Sequence, residues 1–225
     1  MQQDIVKRFF TGTGGTYDTI VNLFTYGADR YWKRRMLSQA PASRKILELA
    51  CGTGILMFRL ADKFPDSQIV GVDMMHEYIA IARRRVQTRG YKNIQLICAR
   101  AEHLQLREQF DCVISSYIPK YVAADELMTA ITPNLKAGGK LILHDFTYPK
   151  FILFKKMWAL HMAILKHVGT RFYPQWRTIF YELADLVKTT RWLSDYTATL
   201  KKLGYQNLKI KRLTGGSAAI LSANL

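Results

Sequence analysis

The sequence predicts an α/β fold: a wound, mostly parallel sheet of seven strands with helices on both faces and a C-terminal antiparallel hairpin. From residue 45 to about residue 223, short apolar runs alternate with longer stretches of helical periodicity, the pattern of a parallel sheet covered by helices. The first apolar run leads directly into a glycine turn, Gly52-Thr-Gly54. The last two runs are separated by Leu-Thr-Gly-Gly-Ser, which is typical of a turn between antiparallel strands.

Five strands are predicted to be parallel and buried on both faces, because their apolar character is nearly continuous. They cover residues 45–49, 68–73, 94–99, 112–116 and 140–144. Helices are predicted between them over residues 55–63, 75–88 and 124–134, the last followed by Lys-Ala-Gly-Gly, where glycine can end a helix. The hairpin strands are placed at 208–212 and 218–223.

The length of 225 residues predicts one domain. Within it we expect an N-terminal helical cap (1–44), a cofactor-binding core (45–145), a helical substrate cap (146–192), and a terminal helix with the hairpin (193–225). No stretch of 18 uncharged apolar residues and no signal-peptide pattern occurs, so we expect a cytoplasmic protein, with peripheral contact at the inner face of the membrane left open.

The chain is strongly basic: 33 Lys and Arg residues against 17 Asp and Glu residues give a net charge of +16. Such an excess favours a polyanionic partner, either nucleic acid or an anionic membrane surface, although a basic enzyme without such a partner is an equal alternative. The count of three cysteines is odd and two of them lie in apolar, strand-like surroundings, which argues against a disulfide scaffold. The histidines lack the spacing of metal ligands, so no metal is predicted.

The glycine turn carries the functional signal. It reads Glu48-x-x-x-Gly52-x-Gly54, and Met57 stands where a dinucleotide site would have its third glycine. Nineteen residues after Gly54, Asp73 closes the second strand, where an acid can accept hydrogen bonds from ribose hydroxyls. Ala101-Glu102 follows the third strand. Three neighbouring strand ends therefore predict a site for a nucleoside-like cofactor.

These motifs resemble the class I S-adenosylmethionine-dependent methyltransferases, which implies a Rossmann-like fold, S-adenosyl-L-methionine as cofactor and S-adenosyl-L-homocysteine as product. The resemblance assigns the methionine part to Gly52 and Gly54, the ribose to Asp73 beside Met74, and the adenine to Ala101 and Glu102. The full set of predicted cofactor-binding residues is Tyr17, Glu48, Ala50, Gly52, Gly54, Asp73, Met74, Ala101, Glu102 and Ser116.

A closer resemblance is to the ubiquinone/menaquinone biosynthesis C-methyltransferases. Tyr17-Asp18, followed by Thr25-Tyr-Gly-Ala-Asp-Arg-Tyr-Trp-Lys-Arg34, looks like that family's N-terminal signature, and Leu135-Lys-Ala-Gly-Gly looks like its Leu-Lys-Pro-Gly-Gly stretch. The resemblance spans roughly residues 9–149. Lys120-Tyr121 replaces an Arg-Asn pair, and Val21 replaces an Asn. Residues 150–192 do not follow the pattern.

The resemblance implies methyl transfer to a hydrophobic small molecule, with a quinone or isoprenoid-type aromatic methylated on carbon as the leading candidate. O- or N-methylation of another small molecule, a nucleic-acid methyltransferase, and a non-catalytic cofactor-binding protein are alternatives. Methylation of a phenol ring on carbon needs a general base. The candidates are His144, Tyr117 and Tyr148, which lie together with Asp145 at strand ends facing the predicted cofactor.

Residues 151–168 predict a very apolar amphipathic helix whose lysines fall largely on one side. Three interpretations stay open: the helix lies on an anionic membrane surface, forms a lid over an apolar acceptor, or simply packs on the sheet. A homodimer is also compatible with the sequence, whereas a nucleic-acid partner is disfavoured because no Asn-Pro-Pro-Tyr-type loop follows the fourth strand.

Overall fold

The computed structural model describes residues 2–225, with side chains from Ile5 onward. Seven strands form one sheet in the order β3-β2-β1-β4-β5-β7-β6. Strands β1 to β5 are parallel, and β7 is inserted antiparallel between β5 and β6. The predicted mostly parallel sheet with its C-terminal hairpin is therefore confirmed. The strands are β1 Lys45–Leu49, β2 Gln68–Asp73, β3 Ile94–Cys98, β4 Phe110–Ser116, β5 Leu135–Phe146, β6 Gln206–Leu213 and β7 Ala218–Asn224.

Ten helices surround the sheet in the described part of the chain. They are α1 Gln2–Phe10, α2 Tyr17–Phe24, α3 Ala28–Leu37, α4 Ile55–Lys63, α5 His76–Arg89, α6 Ala124–Ile131, α7 Ile152–Ile164, α8 Thr170–Phe172, α9 Arg177–Thr189 and α10 Trp192–Lys202. A π-helical segment, Leu165–Gly169, joins α7 to α8. None of the helices described is long and apolar enough to cross a membrane.

The central strands are buried on both faces, as their continuous apolar character predicts. One core cluster joins them to α6 and α10, and a second joins them to α3, α4 and α5. A third apolar cluster lies outside the sheet, where α1, α2, α7 and α9 pack on one another around Phe9, Trp176 and Phe180. This third cluster forms a helical cap.

One predicted helix end was wrong. Helix α6 ends at Ile131 and is followed by a 3₁₀ turn over Thr132–Asn134, whereas Gly138 and Gly139 lie within β5. The pairing of β5 with β4 shifts register between Phe110 and Cys112, and Gly138 takes a φ of +75° at this irregularity. The glycines therefore do not end the helix. They permit an irregularity in the strand, because glycine can adopt a positive φ.

Two sets of contacts hold the cap against the Rossmann-like core. The Glu77 side chain on α5 accepts hydrogen bonds from the backbone N–H groups of Gly12 (3.0 Å) and Gly14 (2.8 Å). On α2, the Asp18 carboxylate accepts hydrogen bonds from Thr53 Oγ1 (2.5 Å) and Arg85 Nη1 (2.8 Å). The segment before β1 is thereby fixed to both α5 and the glycine turn.

Candidate active site

A cleft of about 730 Å³, including its open mouth, lies at the carboxyl ends of the central strands. Parallel α/β sheets bind their ligands at this edge. We call it the cofactor cavity. Eight of the ten predicted cofactor-binding residues line it: Tyr17, Ala50, Gly52, Asp73, Met74, Ala101, Glu102 and Ser116.

The glycine turn brings the backbone close to this cavity. Gly52 and Gly54 have φ values of +57° and +94°, and a Cβ atom on Gly54 would meet the Phe58 ring at 2.6 Å. Ala50 and Tyr117, at the ends of β1 and β4, also hold positive φ, of +52° and +75°. Unfavourable backbone conformations of this kind concentrate at functional sites. Both residues line the cavity.

Two predicted cofactor-binding residues, Glu48 and Gly54, are not among the described residues that line the cavity. Gly54 precedes the first turn of α4, where its lack of a side chain leaves room for Phe58. Glu48 is buried in β1, and burial raises the pKa of its carboxyl well above the ordinary value, although the Lys33 charge opposes this. The structure therefore places neither residue on the wall of the cavity.

Asp73 contributes a buried carboxyl group to the lining of the cavity. Its Oδ2 accepts a hydrogen bond from the Gly52 N–H (2.9 Å), and its Oδ1 accepts one from the Met75 N–H (2.8 Å). Burial raises the pKa of this carboxyl to about 6, although both backbone N–H groups lower it. The group thus fits a ligand whose hydroxyls donate hydrogen bonds to a carboxylate, as a ribose does.

Aromatic side chains of the cap form a wall of the cofactor cavity. Tyr17 lines it, and the Tyr17 ring lies 3.7 Å from the position that a Cβ on Gly52 would occupy. Phe10, on α1, also lines the cavity, and its ring makes edge contacts with Tyr17 and Tyr121. The Tyr17-Asp18 pair therefore joins two roles, because Tyr17 faces the cavity while Asp18 binds the glycine turn.

A second, smaller cavity of about 420 Å³ adjoins the first, and we call it the acceptor cavity. Four aromatic residues line both cavities: Phe10, Tyr17, Tyr117 and Tyr121. The remainder of its lining is largely apolar and comes mostly from α2, β5 and α9, with single residues after α2, after β4 and just before α9. These residues are Ile20, Val21, Phe24, Thr25, Lys120, Phe146, Trp176, Ile179 and Leu183.

Lys120 is the charged group of the acceptor cavity, and its side chain is only 2% exposed. Its Nζ donates hydrogen bonds to Asp145 Oδ1 (2.9 Å) and to the Tyr117 carbonyl (2.8 Å), and it lies 4.1 Å from the centre of the Tyr121 ring. Burial lowers the pKa of Lys120 and raises the pKa of Asp145, while each charge opposes the other's shift. An ammonium group has three N–H donors, and these two bonds use two of them.

The three catalytic candidates occupy different environments. Tyr117 lines both cavities and donates a hydrogen bond to Asp29 Oδ1 (2.7 Å), and burial raises its pKa well above the ordinary value. His144 is fully buried, its ring 5.4 Å from that of Trp32, and neither cavity includes it among the described residues that line it. Tyr148 packs against Trp158 beside a separate surface hollow. The structure thus brings only Tyr117 to the cavities.

Burial governs the chemistry of His144. Its Nδ1 lies 3.0 Å from Ser116 Oγ, and its Nε2 has no hydrogen-bond partner among the described residues. Burial lowers the pKa of the imidazole well below the ordinary value, and the Lys33 and Lys120 charges lower it further. The ring is therefore neutral in the folded protein at physiological pH.

Sequence reasoning missed several residues of the site. Phe10 and Trp176 line the cavities but stand outside any motif, because their positions depend on how the cap packs. In the sequence, Lys120 and Tyr121 are distinguished only as departures from the quinone-enzyme pattern. Those departures, together with Val21, were the available signal, since all three positions line the acceptor cavity.

Comparisons with known proteins agree with this geometry. Among solved structures, the plantazolicin methyltransferase BpumL in complex with SAH superposes with a TM-score of 0.67 at 13% identity, covering 99% of this chain and 95% of that one. Geranyl diphosphate C-methyltransferase from Streptomyces coelicolor superposes with a TM-score of 0.60 at 14% identity, covering 88% of this chain and 79% of that one. These likenesses show the fold.

Sequence comparison is more specific. The ubiquinone/menaquinone biosynthesis C-methyltransferase UbiE of Geotalea daltonii is 26% identical over 96% of this chain and 94% of its own length. The demethylmenaquinone methyltransferase of Staphylococcus aureus is 22% identical over 96% of this chain and 90% of its own. The match to the family covers residues 1–224, beyond the expected 9–149. The chain therefore belongs to the ubiE/COQ5 methyltransferase family and is an S-adenosylmethionine-dependent methyltransferase.

Proposed function

We propose that this methyltransferase transfers the methyl group to a hydrophobic, aromatic small molecule held in the acceptor cavity. The observation that carries the proposal is the aromatic wall common to the two cavities, formed by Phe10, Tyr17, Tyr117 and Tyr121. The sulfonium of the cofactor supplies an electrophilic methyl group. The protein must align an acceptor atom with that methyl and keep water away, and adjoining cavities with a shared apolar wall meet both needs.

The lining of the acceptor cavity favours a quinone or isoprenoid-type aromatic over a polar acceptor. Ile20, Phe24, Ile179 and Leu183 offer apolar contacts that would leave the hydrogen-bonding groups of a polar molecule unsatisfied. The relatives named for quinone methylation support a ring of that kind. Carbon methylation is the reaction that this resemblance favours.

The departures from the quinone-enzyme pattern lie in this cavity and so bear on which acceptor is used. Val21 removes an amide where the pattern has Asn, and Lys120-Tyr121 replaces Arg-Asn. Three changes that alter the hydrogen-bonding groups around one cavity support an acceptor whose polar substituents differ from those of the quinone enzymes' substrates. The proposed acceptor is thus still an aromatic ring of the quinone type, with different polar substituents.

Within this site we propose that Lys120 stabilises the phenolate form of the acceptor. The Nζ group donates two hydrogen bonds to protein atoms and retains a third donor for an acceptor oxygen. Asp145 balances the lysine charge when the cavity holds no anion. Tyr117, whose raised pKa keeps its hydroxyl protonated, is proposed to position the ring rather than to remove a proton.

We further propose that the acceptor is met at the inner face of an anionic membrane, because a hydrophobic acceptor of this class partitions into lipid. The basic charge of +16 supports attraction to such a surface.

The test is an assay of the purified protein with S-adenosylmethionine and a panel of demethylated hydroquinones with and without isoprenoid tails, with the methylated atom identified by NMR. Carbon methylation of tailed hydroquinones is expected. Products methylated only on oxygen or nitrogen, or activity confined to polar acceptors or nucleic acid, would contradict the proposal.

Val21→Trp provides a structural check because the indole would fill the acceptor cavity. We expect this variant to bind the cofactor normally and to lose most of its activity. Leu23→Trp is the matched control, since Leu23 lies on the same helix and is 48% exposed. Equal activity of the two variants would show that the acceptor binds elsewhere.

A further inference from the structure

An apolar stripe runs along the outer side of α7 and continues through the π-helical segment to α8. It consists of Leu153, Met157, Leu160, Ile164, Val168 and Phe172, which are between 47% and 71% exposed. With 3.6 residues per turn, the four members on α7 fall within about 60° of the helical wheel. Nine of the fifteen exposed large hydrophobic residues in the described part of the chain lie in residues 151–172. We call the six residues the outer stripe.

The opposite side of the same helix is already packed. Met162 and Leu165 are buried in the third apolar cluster, and His161 Nε2 lies 2.9 Å from the Phe24 carbonyl. The helix therefore has its place on the cap without the outer stripe. Single exposed hydrophobic residues are ordinary, but a contiguous stripe of this length marks an interaction surface.

The charge around the stripe identifies the partner. Residues 146–181 contain six Lys and Arg residues and no Asp or Glu. Lys150, Lys156 and Arg171 are exposed, and Lys156 lies beside the stripe because it is three residues after Leu153 and four before Leu160. An apolar stripe flanked by cations is the pattern of a helix that lies in the interface of an anionic bilayer.

We infer that this face docks on an anionic lipid bilayer, with the outer stripe among the acyl chains and Lys150, Lys156 and Arg171 at the headgroups. A second copy of the chain fits less well, since a two-fold interface through this face would bring the same positive charges together. Nucleic acid would satisfy the cations and leave the stripe in water.

Docking here would place the membrane near the acceptor cavity. Phe24, whose carbonyl lies beside His161 of α7, lines that cavity, and so do Ile179 and Leu183 of α9, which share an apolar cluster with α7. The inference specifies the surface that serves the proposed membrane-held acceptor, but its test is a binding measurement and does not depend on methyl transfer.

The experiment is flotation of the full chain with vesicles of phosphatidylcholine alone or with about a third phosphatidylglycerol, at low and high salt. Binding to the anionic vesicles, weakened by salt, is expected. Leu160→Glu/Ile164→Glu should reduce partitioning more than tenfold, whereas Ile210→Glu, at an exposed apolar site on β6, should leave it unchanged.

The charge contribution has a matched control of equal charge loss. Lys150→Gln/Lys156→Gln/Arg171→Gln should weaken binding by about fivefold per residue removed, and Lys201→Gln/Lys202→Gln/Lys209→Gln, exposed at the far end of the chain, should have little effect. Equal losses in both sets would show non-specific attraction and overturn the inference. So would absence of vesicle binding, or a dimer in sedimentation analysis that Leu160→Glu/Ile164→Glu dissolves without any vesicle binding.

Discussion

Thr53 Oγ1 donates a 2.5 Å hydrogen bond to Asp18 Oδ1, and this bond connects the glycine turn to helix α2 of the cap. The same carboxylate accepts a hydrogen bond from Arg85, whose Nη1 also reaches the Thr53 carbonyl at 3.1 Å. One acid therefore ties α2, the glycine turn and α5 together. Its neighbour Tyr17 lines both cavities, so the position of that ring depends on this connection.

Removing the Asp18 carboxylate should weaken cofactor binding without unfolding the protein. We expect Asp18→Ala to raise the Kd for S-adenosylmethionine about three- to tenfold, because a partly exposed charged hydrogen bond contributes on the order of 1 kcal/mol. Calorimetry measures the Kd. Asp185→Ala, at an exposed acid of α9, is the control. An unchanged Kd in Asp18→Ala would mean that the connection does not position the cofactor wall.

Cofactor affinity should fall in mild acid because of Asp73. Its pKa of about 6 means that the free protein takes up a proton there as pH drops, and the protonated carboxyl is a poorer acceptor for hydroxyl donors. Affinity should be constant above about pH 7 and about tenfold weaker at pH 5. Calorimetry of wild type and Asp73→Asn across this range checks it: the variant should bind weakly and lack the pH step.

Variants of the buried Lys120–Asp145 pair should distinguish its effect on stability from its effect on activity. Lys120→Met leaves the Asp145 charge unpaired and should lower the free energy of unfolding by about 3–5 kcal/mol. Lys120→Met/Asp145→Asn should recover most of that stability while activity stays low, because the group proposed to stabilise the phenolate is absent. Denaturant unfolding and initial rates measure the two effects. Activity restored along with stability would contradict the role of Lys120.

The glycine turn can be probed with a pair of glycines that share positive φ. Gly54→Ala combines an unfavourable φ of +94° with a 2.6 Å approach to Phe58, whereas Gly90→Ala has φ +71° and open space around it. We expect Gly90→Ala to cost about 1–2 kcal/mol of stability and Gly54→Ala to cost clearly more and to weaken cofactor binding. Equal costs would show that the close approach is absorbed by Phe58.

His144 should make the protein less stable in acid. Its folded-state pKa lies well below 6.5, so the unfolded chain binds a proton that the folded protein does not. Stability should therefore fall as pH drops below about 6.5, by up to about 1.4 kcal/mol per pH unit. The variant His144→Gln should lack this contribution, as measured by denaturant unfolding from pH 7 to 5. If His144→Gln also loses activity at pH 7, where the variant is folded, and its pH–rate profile differs from that of the wild type, His144 would instead be favoured as the general base.

Local periodicity was sufficient to predict the core of the fold. The bounds of β1, α4 and β2 match the predicted ones. A buried strand, a glycine turn and an amphipathic helix each have a distinct sequence pattern, so their boundaries can be recognised. The end of α6 was misplaced, since glycine ends helices and also permits irregular strands. Topology predicted that residues at the strand ends would lie together, because the carboxyl ends of parallel strands meet at one edge of the sheet, and eight of the ten predicted residues line one cavity there.

The acceptor side could not be predicted in the same way. Phe10 and Trp176 come together through packing between segments more than 160 residues apart, and no local pattern records that contact. The sequence predicts His144 at the end of a strand, but β5 continues to Phe146, and the neighbours Trp32 and Tyr117 bury the His144 ring. The burial of a side chain depends on which residues pack over it, and here those residues come from α3 and from the segment after β4.

The wall common to both cavities has a thermodynamic consequence. If Tyr17, Phe10, Tyr117 and Tyr121 adjust when one cavity is filled, the other ligand meets a wall already ordered. Linkage then requires that the factor by which the cofactor raises acceptor affinity equal the factor by which the acceptor raises cofactor affinity. Once the methylated product has left, the affinity for S-adenosylhomocysteine would fall by the same factor. The product would therefore dissociate first and the spent cofactor second.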